Sequence, residues 1–172
     1  MLALALWLGL MSPAALAPAA PPAAAPRGAW TLDEVLAAVR EVESGGSPDG
    51  GRTAHGDGGR ALGPYQIHRA YWQDARLPGR YEDCRDPAYA RRVVEAYWRR
   101  WCPRALAQVD AEVLARVHNG GPQGHTKAGT RAFWIKVERS LVQARARAGS
   151  LAAGALSAAR PACAPAPSAA RG

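Results

Sequence analysis

From Ser47 to Gly63 the chain is polar and dense in glycine, and this stretch sits among segments that otherwise carry helical periodicity. A glycine inside a helix is about 1 kcal/mol less favourable than an alanine. The run through Gly50, Gly51, Gly56, Gly58, Gly59 and Gly63 therefore predicts loops or a small hairpin. With a short strand expected over Tyr65 to Ile67 just beyond it, the fold class is α+β, mainly α.

The helices around this interruption are marked at their ends. Thr31-Leu32-Asp33-Glu34 reads as a capping box, in which the threonine hydroxyl accepts from the amide three residues on and the glutamate reaches back. Leu32, Val35, Leu36, Val39 and Val42 follow at helical period, so one face is buried, and Ser44-Gly45-Gly46 stops the helix. Ala70 to Ala75 reads as a short aromatic helix. Asp86-Pro87 opens the next, carrying Val93, Val94, Tyr97, Trp98 and Trp101. Asp110 caps another through Val113, Leu114 and Val117, and Gly129 to Ala144 supplies the last with Phe133, Trp134, Val137 and Leu141. Trp98, Trp101, Phe133 and Trp134 are expected in the core. No internal repeat is visible.

The two ends differ in composition from the middle. Residues 1–26 hold no charged side chain; an apolar run from Leu2 to Leu10 leads into an Ala/Pro-rich stretch. Such a run is short for a membrane span and fits a cleavable secretory leader, with small residues at Ala17 and Ala19. Residues 145–172 are rich in Ala, Arg, Pro and Ser, with little beyond Leu151 and Leu156 to bury, so a frayed helix end and then a disordered tail are expected. One domain over residues 29–144 remains. The expectation is a secreted protein with no stable membrane association once the leader is removed.

The formal net charge of +8 is carried after that leader, since the first charged residue is Arg27. A basic exported chain is drawn to polyanions, and bacterial walls are polyanionic. The arginines are scattered and no nucleic-acid motif accompanies them, so nucleic acid is not the expected partner. Cys84 and Cys102 flank one predicted helix and are candidates for a disulfide, worth on the order of 3 kcal/mol in the chain-entropy account. Cys163 is then left over in the tail. Neither the cysteines nor the histidines are spaced to give four convergent ligands, so no metal and no cofactor is expected.

Three phrases stand in order: Val42-Glu43-Ser44-Gly45-Gly46; Leu62-Gly63-Pro64-Tyr65-Gln66-Ile67; and His118-Asn119-Gly120-Gly121-Pro122 followed by Phe133-Trp134-Ile135-Lys136-Val137. Over roughly Leu32 to Leu141 this order resembles the invertebrate-type lysozymes, the destabilase-lysozyme family. The resemblance implies a lysozyme-like fold with a small β-sheet beside the cleft, and hydrolysis of the β-1,4 bond between N-acetylmuramic acid and N-acetylglucosamine in peptidoglycan, or of a chitin-like glycan. The family is usually rich in disulfides, and this chain departs from it there. Some of its members also act as isopeptidases, but no Ser-Lys or Ser-His pair is placed in this sequence to carry that over.

Such chemistry needs one carboxylic acid to protonate the leaving oxygen and one carboxylate to stabilise or capture the oxocarbenium-like centre. Glu43 suits the first role: it continues the apolar stripe of Leu36 and Val39 at the negative end of its helix, where lost solvation and the helix dipole both favour the protonated form. Asp57, between glycines in a polar loop, suits the second, and the family's second carboxylate aligns within a residue of it. Asp49 and Asp74 are the reserves. By the same resemblance Tyr65 and Gln66 contact sugar. His118 and Asn119 precede a Gly-Gly-Pro turn able to hold them against substrate or the carboxylate loop, and Tyr71 and Trp72 are candidates for stacking on sugar faces. The rival readings are a lytic transglycosylase with a single essential acid and an inactive wall-binding module.

Overall fold

The computed structural model of the chain describes residues 30–158, apart from Gly46 and Pro48. The expected leader, Cys163 and the last part of the tail lie outside the described residues. Helix α1 (Leu32–Ser44) begins at the predicted capping box: the Thr31 hydroxyl accepts from Glu34 N at 3.2 Å, and Thr31 N donates to Glu34 Oε2 at 2.7 Å. It ends at Gly45 in the left-handed conformation, whose amide donates to Glu41 O.

The glycine-rich segment then folds into three two-residue strands, β1 (His55–Gly56), β2 (Ala61–Leu62) and β3 (Ile67–His68), paired antiparallel in chain order. His55 faces Leu62, and Ala61 faces His68. The expected strand over Tyr65 to Ile67 is shifted: Tyr65 and Gln66 belong to the turn between β2 and β3, where Gln66 has φ +47°. Gly63 makes that turn possible. It sits at φ +72°, and a Cβ there would overlap the carbonyl of Cys84, so both the backbone conformation and the close approach require glycine.

Five further helices follow: α2 (Arg69–Ala75), α3 (Pro87–Trp101), α4 (Pro103–Gln108), α5 (Ala111–Gly120) and α6 (Arg131–Ala158). Asp86 caps α3 through the amides of Ala88 and Tyr89, and Asp110 caps α5 through Val113 N. The short α4 was not expected; it starts on Pro103, whose missing amide is one that a first helical turn leaves unpaired in any case. Val35, Leu36 and Val39 of α1 meet Val93, Val94 and Trp98 of α3, Leu114 and Val117 of α5, and Val137 and Leu141 of α6 in one core. Trp98 is fully buried, but Trp101 is 37% exposed and Phe133 and Trp134 only half-buried, so those three flank the core instead of filling it.

Helix α6 runs past Ala144 to Ala158. Just past Ala144 the helix is tied across the chain. Arg145 grips Glu34 through both ends of its guanidinium, Nε to Oε1 at 2.7 Å and Nη2 to Oε2 at 3.0 Å, and lies 3.8 Å over the ring of Trp30. The expected disulfide is not formed: Cys84 and Cys102 are both free thiols. Cys84 precedes α3 and Cys102 caps its far end. A helix of 15 residues is about 22 Å long, and bridged cysteines need Cα atoms within about 7 Å.

Candidate active site

A cleft of about 300 Å³ opens where the C-terminal ends of α1 and α5 face the small sheet. Glu43 enters it from α1; Gly56, Asp57 and Ala61 from the β1–β2 hairpin; Gln66, His68 and Tyr71 from the run through β3 into α2; and His118 and Asn119 from α5.

Glu43 is the penultimate residue of α1, on the side that packs toward α5, and its side chain is 19% exposed. Its Oε1 lies 3.4 Å from Nε2 of His118. Asp57 occupies the opposite kind of place. It opens the 3-10 turn Asp57–Gly59 between β1 and β2, with φ +52° and about half its side chain in solvent. Arg60 closes that turn on it, Nη2 donating to Oδ1 at 2.6 Å and Nε to the Asp57 carbonyl at 2.9 Å. His68 Nε2 stands 3.9 Å from Oδ2.

His118 is buried among rings. Phe133 stacks near it, Tyr65, Tyr71 and Trp98 meet it edge-on, and the Tyr71 hydroxyl is 3.1 Å from Nδ1. Tyr71 in turn stacks on Tyr97 with ring centres 3.6 Å apart, and burial pushes its phenol well above the ordinary value. The end of α5 is held from below. Buried Arg116 donates to Glu112 at 2.7 Å, to Thr130 Oγ1 at 3.0 Å and to the Lys127 carbonyl at 3.1 Å, tying α5 to the loop that leads into α6. Gly121, at φ +82°, lets the chain leave α5 directly after Asn119 has been presented to the cleft.

Of the side chains singled out in the sequence, Glu43, Asp57, Gln66, Tyr71, His118 and Asn119 line this one cleft. Tyr65 and Trp72 do not. Tyr65 is 4% exposed and turned into the core against His118, on the same side as inward-facing Ile67 two residues on. Trp72 is on the other side of α2, its Nε1 donating to the Tyr89 hydroxyl at 2.9 Å. The reserve carboxylates are elsewhere as well. Asp49 folds its own loop, accepting from Gly51 N and Thr53 N, and Asp74 borders a separate cavity between α2 and α3. Sequence reasoning missed His68 and Arg60. His68 follows inward-facing Ile67 in β3, so the period-two rule marks it for the cleft side; Arg60 is three residues from Asp57. Among the described residues no cluster of three or more His, Cys, Asp or Glu is arranged to hold a metal ion.

The family model described as destabilase matches residues 36–140. Lysozyme 1 of Crassostrea virginica is 36% identical over 108 residues, covering 61% of this chain and 57% of its own. A lysozyme of Ostrea edulis is 38% identical over 84 residues, 46% of this chain and 61% of its own, so the chain spans about three fifths of each of these two bivalve proteins. Invertebrate-type lysozyme 2 of Caenorhabditis elegans is 35% identical over 119 residues, 62% of this chain and 84% of its own. Among solved structures, the lysozyme of Tapes japonica superposes with a TM-score of 0.52 at 30% identity, covering 60% of this chain and 85% of that one.

Proposed function

We propose that this chain, which belongs to the destabilase family, is a lysozyme: a glycoside hydrolase that cleaves the β-1,4 bond between N-acetylmuramic acid and N-acetylglucosamine in peptidoglycan. The observation that carries the reading is one cleft with two carboxylates in unlike surroundings, Glu43 shielded beside His118 and Asp57 in a half-exposed polar turn under Arg60. In this reading Glu43 gives its proton to the leaving oxygen, and Asp57 faces the positive charge that develops at the sugar carbon. Gln66 and Asn119 offer amides to the hydroxyl and acetamido groups of the glycan. Gln66 is preset for this, its Nε2 donating to Gly63 O at 2.8 Å.

The net charge of +8 supports attraction to anionic wall polymers as a second contact. The protein is read as secreted; among the described residues no helix is long and apolar enough to cross a membrane. Digestion of purified peptidoglycan followed by mass spectrometry of the soluble fragments tests the whole reading. Reducing muropeptides are expected. Fragments ending in 1,6-anhydromuramic acid would instead identify a lytic transglycosylase, and adsorption without soluble fragments an inactive wall-binding module.

A further inference from the structure

Glu43 is met by one imidazole nitrogen, and the other end of that imidazole is met by a phenol. Oε1 of Glu43 lies 3.4 Å from Nε2 of His118, and Nδ1 of His118 lies 3.1 Å from the hydroxyl of Tyr71. A neutral imidazole has one donor and one acceptor nitrogen, so what faces Nδ1 decides what Nε2 offers to the carboxyl group.

We infer that Tyr71 is a positioning residue for Glu43: its hydroxyl donates to Nδ1 and so holds His118 as the Nε2–H tautomer, with that N–H turned toward Oε1. The inference rests on the proposed role of Glu43 as the acid.

Three features support the direction of the bond. A phenol oxygen shares its lone pair with the ring and is a weak acceptor, whereas an unprotonated imidazole nitrogen is a strong one, so O–H to Nδ1 is the better of the two arrangements. Burial holds the Tyr71 phenol well above its ordinary value, so at neutral pH it carries its proton. Its ring is fixed by stacking on Tyr97, so the hydroxyl cannot swing away from Nδ1. The groups that face His118 leave little competition. Glu43 comes from α1 and Tyr71 from α2, and Tyr65 and Trp98 meet the imidazole in T-shaped contacts with ring centres 6.4 Å away, the Trp98 Nε1 being buried with no hydrogen-bond partner among the described residues. Phe133 stacks near it, while Asp57 and His68 lie across the same cleft.

The other tautomer would defeat the acid. With Nδ1–H, Nε2 becomes an acceptor, and the proton of Glu43 would point to the imidazole instead of the glycosidic oxygen. With Nε2–H, the carboxyl oxygen nearest His118 receives a donor and the proton is left for the other oxygen. Once the proton has gone to the leaving group, the same N–H faces a full carboxylate, and a closure of a few tenths of an ångström brings 3.4 Å to ordinary hydrogen-bond length. The contact then strengthens as the reaction proceeds, which is what accelerates a step.

The test is Tyr71→Phe, which keeps the ring on Tyr97 and removes only the hydroxyl. Long-range proton–nitrogen spectra of the full chain labelled with ¹⁵N-histidine report the tautomer of His118, assigned by its loss in His118→Asn. The wild type should show Nε2–H alone, and Tyr71→Phe a mixture with Nδ1–H or the imidazolium. In turnover of soluble peptidoglycan fragments, kcat should fall about tenfold with KM little changed, well short of losing the acid itself. Unchanged Nε2–H in Tyr71→Phe, or an unchanged kcat, overturns the inference. The spectra need no turnover, so a chain that hydrolyses nothing would sink the lysozyme reading without deciding the tautomer.

Discussion

Arg60 holds Asp57 by two atoms at once, donating from Nη2 to the carboxylate and from Nε to the backbone carbonyl of the same residue. One guanidinium thereby fixes both the side chain and the strained backbone that carries it, at φ +52°. The turn is exposed, yet the carboxylate has one preferred direction, into the cleft.

Removal of either carboxylate should therefore separate the roles. Glu43→Gln keeps shape and hydrogen bonding but has no proton to give, and turnover should drop by at least about 10²-fold. Asp57→Asn should cripple turnover as well, with the fold intact by circular dichroism and melting. Near-wild-type activity of the Gln variant would end the reading of Glu43 as the acid. An active Asp57→Asn enzyme releasing anhydro products would mean a single-acid mechanism.

The contact between Glu34 and Arg145 should be visible in the acid limb of stability. The Arg145 guanidinium, with help from Thr31 and against some burial, holds the Glu34 carboxyl at about 2 where 4.5 is ordinary. A carboxyl depressed on folding contributes fully above its unfolded value and loses that contribution as pH falls through 4.5 towards 2. Arg145→Met keeps the stem over Trp30 but not the charge. It should melt a few degrees below wild type at pH 7, with the gap closing by pH 2. A gap of the same size at both pH values would assign the effect to packing on Trp30.

Thiol counting checks the free cysteines. Burial pushes the Cys84 and Cys102 thiols up to about 12, so neither should react with a disulfide reagent at pH 8 in the folded protein. A Cys163→Ser variant, unfolded without reductant, should release two reactive thiols. Finding none would mean that the two are bridged.

Adsorption to whole peptidoglycan should weaken as salt rises beyond physiological strength, because the Debye length contracts from about 8 Å to about 3 Å at 1 M. The comparison that matters is with neutral chitin-type oligosaccharides, whose binding should hardly move. Equal salt sensitivity for both would remove the charge of +8 from the account of wall binding.

What could be read from the sequence was local. Thr31 with Glu34, Asp86 before Pro87, and Asp110 before Ala111 mark helix starts because a cap and its amides lie within three residues. Glu43 was legible because it continues a stripe of period 3.6 that ends at the cleft. The features that give the site its character are pairings between distant residues. Tyr71 and His118 are 47 positions apart and Glu34 and Arg145 are 111, and no periodicity connects them. The cleft positions expected for Tyr65 and Trp72 fail for the same reason: contacts with residues further along the chain, His118 for Tyr65 and Tyr89 for Trp72, turn each of them away from the cleft.

The clasp of Arg145 on Glu34 and Trp30 also sets a timetable. During synthesis α1 emerges 111 residues before the arginine that will hold it, an interval of roughly 6 to 22 s at 5–20 residues per second. Through that interval the apolar stripe of Val35, Leu36 and Val39 has no α6 to lie against. Until then the domain lacks its last helix, and for a protein proposed to leave the cell, a chain still short of its full fold is one that can be threaded through a membrane.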